Sequence, residues 1–167
     1  MVMAPKRMWN MIGGLAKGQV SRFAIMLGVA LTLGSGAAAQ SKPDGQSLVI
    51  GNDRGGSIRE RLIRIRDLRI SGQPVRIEGD ICYSACTLLI GLPQTCVAAE
   101  TTFGFHGPSY SGRPMSTADF EHTSRVMASY YPPSIRTWFL QEARYDIRSV
   151  QRVSEAELIR HGVRACG

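Results

Sequence analysis

Short apolar runs alternate along this chain with longer amphipathic stretches, a pattern that predicts strands alternating with helices. Leu48-Val49-Ile50 is one such run, closed by Gly51-Asn52-Asp53-Arg54-Gly55-Gly56, so a buried strand should pass into a glycine-bearing loop. Ser57 then caps a predicted helix in which Ile58, Leu62, Ile65 and Leu68 recur at steps of four, three and three. Arg59, Arg61, Arg64, Arg66 and Arg69 fill the remaining positions and read as a solvated face, with contact to a polyanion or anionic lipid as the lesser alternative. Ser71-Gly72-Gln73-Pro74 ends the helix and leads into a strand at Val75–Glu78. Ser84 follows at a strand-to-helix turn, ahead of a helix over 85–92 whose apolar run is Leu88-Leu89-Ile90-Gly91-Leu92.

Two further strands are predicted at Cys96–Ala99 and Phe103–His106, then a loop from Gly107 to Pro114. A capped helix should start near Ser116, with Asp119 in its first turn, and run towards Tyr131. Pro132-Pro133 breaks it, and Ser134–Ala143 makes the next. Ser154-Glu155-Ala156-Glu157 is a capping box opening the last helix, followed by Gly162 and a short strand at Val163. This order argues an α/β fold with largely parallel pairing.

The N-terminal region reads differently. Residues 1–22 carry Lys6, Arg7, Lys17 and Arg22 and no acid, and an apolar core from Phe23 to Leu33 runs into Ala37-Ala38-Ala39. That is the layout of a signal peptide over 1–39, cleaved after Ala39, and its apolar core is short for a membrane span. The expected product is exported, periplasmic or secreted, with a polar flexible tail at 40–47 and one domain at 48–167. Removing four basic leader residues leaves 16 Lys/Arg against 13 Asp/Glu, a net charge of +3 instead of +7. The basic balance of the whole chain is thus partly the leader's and gives no argument for nucleic-acid binding.

Cys82, Cys86, Cys96 and Cys166 all lie after the leader. An even count in an oxidising compartment predicts two disulfides in one of three pairings. Cys82 and Cys86 lack the second ligand pair a structural metal needs, so no metal is expected.

Ser84 at its turn and His106 at a strand end offer the parts for nucleophilic catalysis, and the helix after Ser84 would aim free N–H groups at an oxyanion. The order of Gly55-Gly56, helix, strand with Ser84, apolar helix, strand with His106, long helix and the terminal Ser154 to Val163 segment resembles the Clp-protease/crotonase superfamily. Within it the proteolytic subunit of Clp protease is the most similar. The resemblance covers nearly all of 48–167 and implies a repeated β-β-α spiral with mostly parallel strands. It implies Ser84 as nucleophile, His106 as general base, and N–H groups of Gly56 or Gly55 and of Ala85 as the oxyanion hole. Peptide or ester substrates and acyl transfer without a cofactor follow from the same comparison.

The chain departs from that family in three places. Counting back from the terminal segment, the acid position falls near Val150; Asp146 is the nearest acid upstream, with Glu142 and Glu155 as alternatives. Cys82 and Cys86 flank the serine, where a disulfide is no part of the family pattern. An exported chain would not meet the family's ATP-driven unfoldase or the usual acyl-CoA pool. A Ser–Lys mechanism is disfavoured because Lys42, in the tail, is the one lysine after the leader. The competing reading takes Ser84 as a helix cap and His106 as a strand-end histidine, on a catalytically silent binding or assembly module. His122 and His161 read as surface residues, and Tyr130-Tyr131 and Trp138-Phe139 as core or homo-oligomer packing.

Overall fold

Residues 45–167 are described by a computed structural model; the expected leader, its cleavage site and most of the 40–47 tail lie outside them. Seven short strands form two sheets. β1 (Leu48–Ile50), β2 (Val75–Ile77), β4 (Thr95–Val97) and β7 (Arg164–Ala165) lie side by side in that order, every pair parallel. β3 (Ile81–Tyr83), β5 (Thr102–Phe105) and β6 (Gln151–Ser154) make the second sheet, parallel between β3 and β5 and antiparallel between β5 and β6. Successive passes of the chain give one strand to each sheet: β2 then β3, β4 then β5. The first pass does the same with β1 and a single bridge from Asp53 to Cys82. The fold is therefore mixed α/β with a parallel sheet and a second, smaller sheet.

Local chemistry sets the element ends. Ser57 accepts from the Glu60 N–H and opens α1 (Ile58–Ser71), while Gly72, in the left-handed region, closes it. Ser116 caps α2 (Thr117–Ala128) and Ser154 caps α4 (Glu155–Arg160) in the same way. Pro132-Pro133 separates α2 from α3 (Pro133–Gln141), as the sequence predicts, and Pro133 itself opens α3 because a first-turn proline gives up no helical hydrogen bond. The segment after Ser84 is a 3-10 helix, Ser84–Gly91, where an α-helix was expected. Val75, Ile77, Leu88, Leu89, Phe103, Phe105 and Phe139 are sealed in the core between the sheets and helices. Among the described residues no helix is long and apolar enough to cross a membrane.

Two disulfides are present and resolve the pairing. Cys82 bonds Cys86 across the Ser84 turn, and Cys96 on β4 bonds Cys166 just after β7.

Arg61 departs from the predicted solvated face. It is buried, 9 % exposed, with Ile65 and Leu68. Its guanidinium reaches back to the loop before the helix.

Candidate functional site

β3 ends at Tyr83 and the 3-10 helix begins at Ser84, whose φ is +57°. A non-glycine residue there costs about 1–2 kcal/mol and is held only when its surroundings over-determine it. Here the surroundings are the Cys82–Cys86 bridge and the Thr87 hydroxyl, which donates to the Ser84 carbonyl at 2.8 Å. Thr87 is fixed in turn by the buried Tyr131 hydroxyl at 2.8 Å. Burial pushes the Tyr131 phenol well above its ordinary value, the Thr87 bond opposing only in part. The Ser84 side chain caps no N–H: the residue in the cap position is Tyr83, without a side-chain cap bond. Ser84 lines a cavity instead.

Gly55 lies directly against Ser84. A Cβ added at Gly55 would fall 2.4 Å from Ser84 Cβ, and its φ of +102° independently requires glycine. The Gly55 N–H donates to Asp53 Oδ1 at 2.7 Å and is unavailable to a ligand. The Gly56 N–H has no hydrogen-bond partner among the described residues and lines the cavity with Ser84. Of the two glycine donors expected from sequence, Gly56 is the free one. Asp53 organises this loop. Its backbone pairs with β3 on both sides, accepting from the Tyr83 N–H at 2.8 Å and donating to the Ile81 carbonyl at 3.1 Å. Its carboxylate meets Arg61 at 2.5 Å. Neither Asp53 nor Arg61 was singled out from sequence; an acid and an arginine eight residues apart across a loop give no periodic signal.

His106 follows β5 and lines the same cavity, about 550 Å³ in volume, as Ser84 and Gly56. Its Nδ1 lies 2.7 Å from the Gly107 carbonyl. A carbonyl only accepts, so Nδ1 carries a proton there, and Nε2 is the nitrogen left to act as an acceptor whenever the ring is neutral. Ser84 Oγ and the His106 ring share the cavity without a direct hydrogen bond. Gly107 is required by close approach: an added Cβ would fall 1.7 Å from the Arg144 carbonyl oxygen. The Gly107 N–H also donates to the Asp146 carbonyl at 2.8 Å. Arg144 holds this turn through Glu121 at 2.9 Å and the Tyr145 hydroxyl at 2.8 Å, and the bond to Glu121, then that to Tyr145, raise its already high pKa.

The Asp146 backbone thus sits beside His106, while its carboxylate is engaged elsewhere. Oδ2 accepts from Gln151 Nε2 at 2.8 Å and Oδ1 from the Ser149 hydroxyl at 3.3 Å. Among the described residues no carboxylate lines either cavity that His106 borders; Val150 and Ile147 stand in the second, with Tyr83. Glu142 is exposed after α3 and Glu155 lies at the start of α4. The structure brings Ser84, Gly56 and His106 together and leaves the three candidate acids off the imidazole.

Beyond the cavity runs a larger groove, about 920 Å³, between α1, α2 and the 108–115 loop. Ser57, Ile58 and Pro108–Tyr110 belong to both, so the two are continuous. Among the described residues no three His, Cys, Asp or Glu side chains converge to hold a metal ion. No protein-family model matches the chain, and no curated protein matches it significantly.

Proposed function

We propose that the chain is an exported serine hydrolase, acting on peptides or esters, on a Clp/crotonase-like β-β-α scaffold. The observation that carries the reading is Ser84. It is held at positive φ with its hydroxyl uncapped, in a cavity shared with His106 and the free Gly56 N–H. Ser84 Oγ attacks the substrate carbonyl and His106 Nε2 takes its proton, passing it to the leaving amine or alcohol as the bond to the acyl carbon breaks. Water, deprotonated by the same nitrogen, then releases the acid and restores Ser84. The Gly56 and Ala85 N–H groups receive the oxyanion. The Gly107 carbonyl fixes the tautomer, the orienting part of what a triad acid does, so the site works as a Ser–His dyad. Ser84 and His106 close to hydrogen-bond distance when substrate fills the cavity, as catalytic pairs do on loading. The strand-to-each-sheet repetition supports the scaffold assignment. The two disulfides and the leader-like segment support export.

The deciding experiment is reaction of purified protein with a fluorophosphonate probe. Wild type should label at Ser84, and both Ser84→Ala and His106→Ala should abolish labelling while retaining the fold. A second reading, a silent binding or assembly module, is favoured by the missing Ser84–His106 bond and by the absence of a carboxylate at His106. Absence of labelling and of turnover across peptide and ester panels would establish it over the hydrolase.

A further inference from the structure

The groove that leads away from Ser84 has a composition of its own. On its α1 wall two stripes run in parallel. The inner one, Ile58, Leu62 and Ile65, packs towards the core. The outer one runs Arg59, Ile63, Arg66, Ile70, at steps of four, three and four, so cationic and apolar side chains alternate along it. Ile63 and Ile70 are 41 % and 79 % exposed, large values for isoleucine. Arg69 adds a third guanidinium and lies 5.8 Å over the Tyr130 ring on the opposite wall. Arg66 shares its charge with exposed Asp67 at 3.0 Å, while Arg59 and Arg69 have no carboxylate partner among the described residues. Among the described residues no acidic side chain lines the groove.

We infer that this groove binds the extended substrate and selects peptides whose apolar residues are flanked by Asp or Glu. The inference deepens the hydrolase reading and rests on it for the word substrate. Charge complementarity carries it: among the described residues three arginines and no carboxylate border an apolar floor. Continuity with the cavity carries it further, because Ser57, Ile58 and Pro108–Tyr110 line both spaces. The dimensions fit an extended chain. From Arg59 to Ile70 the helix rises about 16 Å, the reach of roughly five extended residues. Arg59 and Arg66 stand about 10 Å apart along the axis, about three residues of such a peptide. The exposed isoleucines face a trough bounded by α2 and the 108–115 loop, where a bilayer would meet a convex face instead; this favours a peptide over an anionic membrane.

The test uses Ser84→Ala protein, which binds without cleaving, and two fluorescein-labelled peptides. Both carry a Leu-Ile-Phe centre, flanked on each side by Glu-Glu in one and Lys-Lys in the other. Fluorescence anisotropy should show the Glu peptide binding at least about tenfold more tightly, with the difference shrinking as salt rises. Arg66→Glu with Arg69→Glu should reverse the preference, and Arg160→Glu on α4 should leave it unchanged. All these positions are exposed, so the variants fold. Equal affinity for the two peptides, or a preference indifferent to the double reversal, overturns the inference. So does arginine-dependent binding of phosphatidylglycerol vesicles by a protein that ignores both peptides. Peptide selection without fluorophosphonate labelling of wild type keeps the groove's preference and removes the hydrolase reading. Labelling without peptide selection removes the groove alone.

Discussion

Asp53 and Arg61 meet at 2.5 Å behind the Gly55-Gly56 turn, and through Asp53 the turn is tied to the strand that carries Ser84. One Asp53 oxygen holds the Gly55 N–H and the other holds Arg61, which also approaches the Gly55 carbonyl at 3.5 Å. The Gly56 donor and the Ser84 hydroxyl are thus set relative to each other by a single residue.

Arg61→Leu should therefore act on both stability and turnover. It leaves Asp53 without its cation in a site where both partners are largely buried, a loss on the order of 3 kcal/mol. Turnover of an activated ester should fall by about a hundredfold with KM little changed, because an oxyanion donor acts in the transition state. Urea unfolding and steady-state kinetics separate the two effects. Unaltered kcat in the folded variant would show that the pair serves the fold alone.

The two disulfides should differ in what they support. Loop entropy assigns about 2 kcal/mol to the short Cys82–Cys86 ring and about 4 kcal/mol to the Cys96–Cys166 ring. Replacing Cys82 and Cys86 by alanine should cost less stability but more activity, since that ring holds Ser84 in its left-handed conformation. Replacing Cys96 and Cys166 should cost more stability and leave kcat of the folded fraction intact. Thiol titration of denatured, unreduced wild type should find no free cysteine.

Asp146→Asn should leave turnover within about threefold of wild type. Its carboxylate is bonded to Gln151 and Ser149, so the expected change is about 1 kcal/mol of stability. A loss of two or more orders of magnitude in kcat would return Asp146 to the role of triad acid.

Tyr131 makes stability fall at high pH. Burial raises its pKa in the folded state, so the folded protein keeps a proton that the unfolded chain begins to release near the ordinary phenol value of about 10. Its contribution is fully present below about pH 10 and declines above it, the unfolded state then binding fewer protons. Chemical denaturation between pH 8 and 11 should show this decline, flattened in Tyr131→Phe. That variant should also lose about 1 kcal/mol at neutral pH by removing one of the two hydrogen bonds of the Thr87 hydroxyl.

Much of this arrangement was legible in the sequence because it rests on periodic or punctuating residues. Ser57, Ser116 and Ser154 are caps where the patterns place them, and the Ile65 and Leu68 stripe is buried. β6 was not, since Gln151–Ser154 buries only Val153 and its pairing comes from β5. β3 was absorbed into the turn before Ser84, three residues being too few for alternation to show. At the site, sequence order brings Ser84, His106 and Gly56 within one cavity, but Arg61 looked like its solvated neighbours. Only the fold distinguishes it, by giving it Asp53. Ile63 and Ile70 were invisible for a related reason: their stripe is diluted by arginines, and its meaning depends on the wall that α2 supplies.

The Cys96–Cys166 bond spans 70 positions and makes the C-terminal part of the domain a covalent ring. His106, the 108–115 loop, α2 and α3 all belong to that ring; Ser84 and Gly56 stand outside it. A protease that nicks the exposed stretch around Tyr110–Pro114 cannot release either fragment, so the nicked chain should run as one species until it is reduced. If the proposed hydrolase activity turns on a neighbouring copy at that loop, the wound costs the molecule its backbone continuity there and not its histidine.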